Sequence, residues 1–137
     1  MTEETTELIL PSRIEAIDEA AAAATEVAGR SGFDEGALFG IDLAVREAVT
    51  NAVLHGNRRD ETKPVEIGFT NAGTALVITV RDRGEGFDPQ SVPDPTEERN
   101  LLKASGRGIL FMRNFMDDVS WERHPEGGTV VRMTKKR

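Results

Sequence analysis

Asp34-Glu-Gly-Ala-Leu38-Phe-Gly-Ile41-Asp-Leu-Ala-Val45-Arg-Glu47-Ala48-Val-Thr-Asn51-Ala52-Val-Leu-His55-Gly56-Asn57 is the stretch that organises the chain. Leu38, Ile41, Val45, Ala48 and Ala52 recur at helical spacing, Asp34 stands where an N-cap belongs, and Gly56-Asn57 ends the pattern. The spacing predicts one central helix. On it Glu47, Asn51 and His55 follow each other four residues apart, a line on the shoulder of the apolar stripe at roughly 100° per residue. A carboxylate one turn from a carboxamide can divide labour: the amide oxygen ligates a hard cation such as Mg²⁺ while the carboxylate takes a proton from a nucleophile. The same spacing also serves a solvated helix face with a local side-chain hydrogen bond. His55, in the last turn, also suits free helix carbonyls.

Working outward, Leu8-Ile9-Leu10 reads as a short strand ending at Pro11. Ser12 and Glu15 make a capping box for an alanine-rich helix to about Arg30, which Gly32 stops. Downstream, Val65 to Phe69 and Ala75 to Val80 are β-rich runs around Asn71-Ala72-Gly73, an antiparallel hairpin. From Arg83 to Arg107 the pattern dissolves into Gly, Pro, Asp and Glu, a length more typical of a lid or binding loop than of a connector. Ile109 to Met116 resumes helical spacing. Val119 to Glu122 and Thr129 to Met133 then close the chain as strands joined by Pro125-Glu126-Gly127-Gly128. The order predicts an α+β protein, a two-layer sandwich with one mixed, mostly antiparallel sheet and helices on a single face. With 137 residues and neither repeat nor linker, a single domain over 1–137 is expected.

A formal charge of −7 argues against direct nucleic-acid binding, which needs a basic face to displace phosphate counterions. The basic cluster Arg132 to Arg137 reads as a solvated tail. No window reaches the ~18 uninterrupted apolar residues of a membrane helix. The start, Met1 to Glu7, lacks the basic and greasy parts of a signal peptide. The chain has no cysteine, which excludes disulfides and fits a reducing compartment. A cytoplasmic location is expected.

Two glycine motifs remain. Asp82-Arg83-Gly84-Glu85-Gly86-Phe87 follows directly on a strand, where a carboxylate can accept a hydrogen bond from an exocyclic amine such as that of adenine and glycines allow close backbone approach. A plain turn uses the same residues. Gly106-Arg107-Gly108 precedes a predicted helix, where free N–H groups can hold phosphate with Arg107 or Lys103 as charge partners; a hinge is the other reading. The Rossmann, P-loop and eukaryotic-kinase signatures are absent, and His55 and His124 alone give no zinc spacing.

Together Glu47-Ala-Val-Thr-Asn51-Ala-Val-Leu-His55-Gly56, Asp82-Arg-Gly84-Glu-Gly86-Phe87, Gly106-Arg-Gly108-Ile and Gly128-Thr129 resemble, in order and spacing, the motifs of the Bergerat (GHKL) ATPases. Within that superfamily the chain is most similar to the anti-sigma factor serine kinases, over nearly its whole length, and Gly108-Ile-Leu-Phe-Met-Arg-Asn-Phe-Met-Asp-Asp-Val119 strengthens the match. The resemblance implies ATP and Mg²⁺ as cofactors, Asn51 as the Mg²⁺ ligand, Glu47 as catalytic base and Asp82 as reader of the adenine amine. It also implies that Gly84 and Gly86 shape the adenine pocket, that Gly106, Arg107 and Gly108 border the phosphates, and that Thr129 supports the base. The partners it implies are a sigma factor, a STAS-type anti-anti-sigma protein phosphorylated on serine, and a second copy in a homodimer.

Two readings of different class follow. One is a protein-serine kinase that switches partners; the other is a nucleotide-binding interaction module with little or no kinase activity. A plain ATPase with water as acceptor is a third. Presence of both Glu47 and Asn51 leans toward catalysis, since a pure binder can dispense with the base.

Overall fold

The computed structural model describes residues 4–84 and 112–137. Five strands, β1 (Glu4–Leu10), β2 (Val65–Asn71), β3 (Ala75–Arg81), β4 (Asp118–Arg123) and β5 (Thr129–Lys136), form one sheet in the order β1-β2-β3-β5-β4. Two helices, α1 (Glu15–Arg30) and α2 (Glu35–Thr50), complete the α+β sandwich. Every described pairing is antiparallel, so the expectation of a mixed sheet is corrected. β5 inserts between β3 and β4, so the chain crosses over after β3 and β4 runs in the same direction as β3 without pairing with it.

Alternation fixes which face meets the helices. Val65, Ile67 and Phe69 of β2 and Leu76, Ile78 and Val80 of β3 are buried, while Glu66, Gly68, Val77 and Thr79 between them face the other way. These side chains join Ile41, Val45, Val49 and Val53, and Ala20, Ala24 and Ala28 of α1, in one core. Full burial of a side chain such as Ile67 or Phe69 is worth about 1.5–3 kcal/mol, so the central hairpin and α2 supply much of the driving force. β1 begins at Glu4, earlier than its apolar run suggests, because Glu4 pairs with Asn71 and a polar edge strand needs only a partner's backbone.

The capping box expected from Ser12 and Glu15 is absent. α1 opens instead through a tight turn in which Ala16 N–H donates to Arg13 O, and Ile14 at its N-cap contributes no side-chain bond. Ser12 is buried and its hydroxyl donates to Lys63 O, so tertiary contact outcompetes the local cap. Asp34 does cap α2, accepting from Ala37 N–H at 2.8 Å.

The basic C-terminal cluster is not a solvated tail. Arg132 to Lys136 belong to β5, Lys135 Nζ donates to Phe115 O at 2.9 Å, and the Arg137 guanidinium lies over Phe33 and donates to Asn71 Oδ1. Strand pairing with β3 and β4 captures these residues because their main chain, not their charge, sets their place. Of the predicted helix Ile109 to Met116, residues 112–115 are helical and Met116 follows in a bend, with Met112 and Met116 buried; residues 109–111 lie outside the described residues. Among the described residues no helix is long and apolar enough to cross a membrane.

Candidate functional site

α2 does not end as an ordinary helix. From Asn51 to Gly56 it widens into a π-helical turn, in which hydrogen bonds close over five residues instead of four. Asn57 N–H accordingly donates to Ala52 O at 2.8 Å. Widening the turn brings Gly56, rather than His55, one turn above Asn51, so the straight line expected through His55 breaks; His55 is exposed. The chain then reverses sharply. Arg59 N–H bonds back to Val53 O at 2.7 Å, and Arg58 and Arg59 both take left-handed backbone at φ 51° and 60°. Such conformations in non-glycine residues cost about 1 kcal/mol or more each and persist where surrounding structure holds them.

Glu47 and Asn51 stand one α-helical turn apart at this end of α2, both half-buried. Among the described residues no hydrogen bond or ion pair engages the Glu47 carboxylate. Asn51 Oδ1 is fully buried and has no hydrogen-bond partner among the described residues. Leaving a buried acceptor unpaired costs about 1–3 kcal/mol, and a hard cation is the kind of ligand that relieves it. No cluster of three or more His, Cys, Asp or Glu among the described residues could cage a metal alone. That suits Mg²⁺, which keeps waters and phosphate oxygens and takes only one or two protein ligands. The residues present therefore fit the group.

Beyond the π turn lies Asp82, at the exit of β3. It is buried, with 7 % of its surface exposed. Its main-chain N–H donates to Thr129 O at 3.0 Å, and its Oδ1 accepts from Thr129 N–H at 3.2 Å and Gly84 N–H at 3.1 Å. Burial raises the carboxyl above its ordinary range, partly countered by those two N–H donors and by Arg81 and Lys63. Oδ1 thus anchors the group while Oδ2 is turned toward Gly56.

Three glycines make this corner possible. A Cβ on Gly56 would overlap the Asp82 carboxylate, one on Gly84 would overlap Gly56 O, and one on Gly128 would overlap Asp82 O. Gly128 also has φ 89°, which side chains rarely adopt. The helix end, the β3 exit and the start of β5 therefore meet backbone to backbone. Asp82, Gly84 and Thr129 come together here with the turn that follows Asn51. Gly86, Gly106, Arg107 and Gly108 lie outside the described residues.

One residue of the corner carries no signal in the sequence. Asn57 is 2 % exposed; its side-chain amide donates to Ser12 Oγ, Lys63 O and Pro64 O at 2.8–3.1 Å, and its Oδ1 accepts from Arg83 N–H at 2.7 Å. Beside Gly56 it reads as helix-end punctuation, and nothing in linear spacing reveals four partners from three other segments. The Arg83 side chain is held separately, by Glu66 at 2.7–2.8 Å, and Glu66 also faces Arg81.

Residues 10–135 match the histidine kinase-like ATPase domain family. The chain belongs to that family. It falls in the branch of anti-sigma factors and serine-protein kinases. It is 40% identical over 100 residues to the anti-sigma F factor of Bacillus subtilis, covering 72% of this chain and 68% of that one. It is 30% identical over 135 residues to the serine-protein kinase RsbW of Oceanobacillus iheyensis, covering 94% and 84%. Among solved structures, the RsbU and RsbW domains of a Mycobacterium tuberculosis protein superpose with a TM-score of 0.70 at 21% identity, over 97% of this chain. The chain spans about a third of that solved chain (32%), and this likeness shows the shared fold.

Proposed function

We propose that this protein is an ATP-dependent protein-serine kinase that also acts as an anti-sigma factor, with a STAS-type anti-anti-sigma protein as its phosphoacceptor. The observation that carries the reading is the orphaned, buried Asn51 Oδ1 one turn from the Glu47 carboxylate, on a helix whose widened end packs against Asp82. Membership of the anti-sigma and serine-kinase branch supports it, as do two relatives that bear those names.

In this reading Asp82 Oδ2 accepts a hydrogen bond from the adenine amine while Oδ1 stays on Gly84 and Thr129 N–H. Asn51 Oδ1 would hold Mg²⁺, which would supply charge to offset that of the phosphates. Glu47 accepts the proton of the attacking serine hydroxyl. As the serine Oγ–P bond forms, the bond from the γ-phosphorus to the bridging oxygen breaks, and ADP carries away the electron pair. Gly86, Gly106, Arg107 and Gly108 are assigned to the adenine pocket and phosphate border on the motif match alone. A homodimer that grips one sigma factor completes the proposal.

The test is incubation with labelled ATP, Mg²⁺ and a cognate STAS-domain protein. Glu47→Gln should cut serine phosphorylation by about 10²–10⁴-fold, the usual worth of a general base, while ATP still binds. Full transfer by that variant removes Glu47 from the role. Tight nucleotide binding by the wild type without any transfer would instead make the protein a nucleotide-dependent interaction module.

A further inference from the structure

We propose that Asn57 is a positioning residue of the nucleotide site, holding the Asp82-Arg83-Gly84 turn at a fixed distance from the metal-ligating end of α2. The proposal rests on the nucleotide site described above and goes beyond it, because Asn57 belongs to none of the motifs that define that site. Three observations carry it.

The first is saturation. Asn57 is buried and uses both faces of its carboxamide: the oxygen takes Arg83 N–H, and the nitrogen serves Ser12 Oγ, Lys63 O and Pro64 O. A planar amide is the side chain that offers an acceptor and two donors on opposite sides. Aspartate would set a charge against two carbonyl oxygens, and serine is too short to span the gap.

The second is location. Arg83 is the middle residue of the turn, and its neighbours supply the carboxylate and one of the two N–H groups that fix it. With Arg83 N–H released, only the Glu66 contact to its side chain remains, at the far end of a flexible guanidinium. The third is the lever. Asn57 N–H closes the π turn on Ala52 O, so the turn that begins with Asn51 ends on the residue that grips Arg83. The ligand for the metal and the anchor for the base-reading turn are thereby the two ends of one short rigid segment.

The consequence is specific to ligand affinity. Asn57 touches neither Glu47 nor Asn51 among its hydrogen bonds, so its loss loosens the adenine end and leaves the transfer chemistry in place. Calorimetric titration with Mg-ATP and Mg-GTP, combined with phosphotransfer kinetics, tests this on three variants. Asn57→Ala should weaken ATP by about tenfold or more, the scale of one lost buried hydrogen bond, narrow the preference for ATP over GTP, and raise KM with kcat within about twofold.

Ser12→Ala removes one donor-side partner and spares the Arg83 bond. It should lower Tm and leave the ATP Kd within about twofold. Asn57→Asp keeps an acceptor for Arg83 and discards the donors. It should be less stable than Asn57→Ala yet bind ATP more tightly, within about threefold of the wild type. Affinity that simply follows Tm across the three variants overturns the proposal, as does wild-type affinity in Asn57→Ala. If Asn57→Ala does not fold, Asn57→Ser, too short to reach Arg83 N–H yet able to keep a hydroxyl beside Lys63 O, takes its place: a loss of about tenfold in ATP affinity supports the proposal and wild-type affinity overturns it. A wild-type protein that binds no nucleotide would overturn the ATP reading itself, before any substitution is made.

Discussion

The seam between α1 and α2 and the corner at Asp82 are built on opposite rules. In the seam, small side chains do the packing: Ala20, Ala24 and Ala28 of α1 are buried in the same core as Ala44 and Ala48 of α2, and a half-buried Arg46 bridges Asp18 and Asp42 at its rim. The corner has almost no side chains. Gly56, Gly84 and Gly128 let three stretches of backbone touch, and the groups they enclose are a carboxylate and a carboxamide. A seam of methyl groups tolerates change, because each contributes little and neighbours adjust. Backbone against backbone has nothing that can rotate away, so the corner is fixed in shape and costly to desolvate, as suits a site that must wait for its ligand.

Substitutions that pit one region against the other should separate them. The largest effect is expected from Gly84→Ala, since the new Cβ would overlap Gly56 O and overpacking typically costs about 1–3 kcal/mol. Denaturant unfolding should show that loss, and calorimetry should show ATP binding gone. A variant that binds ATP normally would mean the corner can yield like a side-chain core.

Asp82→Asn should have the opposite sign for stability. The amide keeps an acceptor for Gly84 and Thr129 N–H while removing a desolvated charge, so the unliganded protein should gain about 1 kcal/mol near neutral pH and lose its preference for ATP over GTP. The pH dependence has a definite sign. Because the folded carboxyl is raised, the folded state binds more protons between the ordinary carboxylate range and the raised value. Wild-type stability should therefore fall as pH rises through that window, and the advantage of the Asn variant should shrink as pH drops toward 4, the ordinary value being 3.8. Thermal unfolding of both proteins across pH checks it; a constant difference would place the charge in a better-solvated setting.

Within the seam, Ala24→Gly should cost about 1 kcal/mol, mostly through helix propensity, and leave the ATP Kd unchanged. Altered nucleotide affinity there would mean the two regions are mechanically coupled. The smallest effect belongs to the reversal after Asn57: Arg58→Gly should relieve left-handed backbone and raise stability by about 0.5 kcal/mol.

Much of the scaffold was legible along the chain. The stripe from Leu38 to Ala52 located α2, Asp34 marked its start, and alternation in Val65 to Phe69 and Ala75 to Val80 gave the central hairpin. These signals are local and periodic. The Ser12 cap and the solvated tail were misread for one shared reason: each residue had an adequate local role and found a stronger distant one, Ser12 on Lys63 and the tail in strand pairing with β3 and β4.

The candidate site divides along the same line. Glu47, Asn51, Asp82 and Gly84 stand out because a carboxylate, an amide or a glycine at those spacings has recognisable chemistry, whereas Thr129 enters only through the family resemblance. Asn57 and the π turn do not. An extra residue in a helical turn changes no residue type, and a carboxamide shows its worth only when four partners surround it.

Periodicity and residue chemistry, both written in neighbouring positions, determined by themselves the elements and the set of groups able to act. Which groups meet, which oxygen stays unpaired and which glycine must remain bare depended on segments tens of residues apart closing to contact. Burial then assigned each polar group a partner or left it without one, and that assignment exists only once the chain is folded.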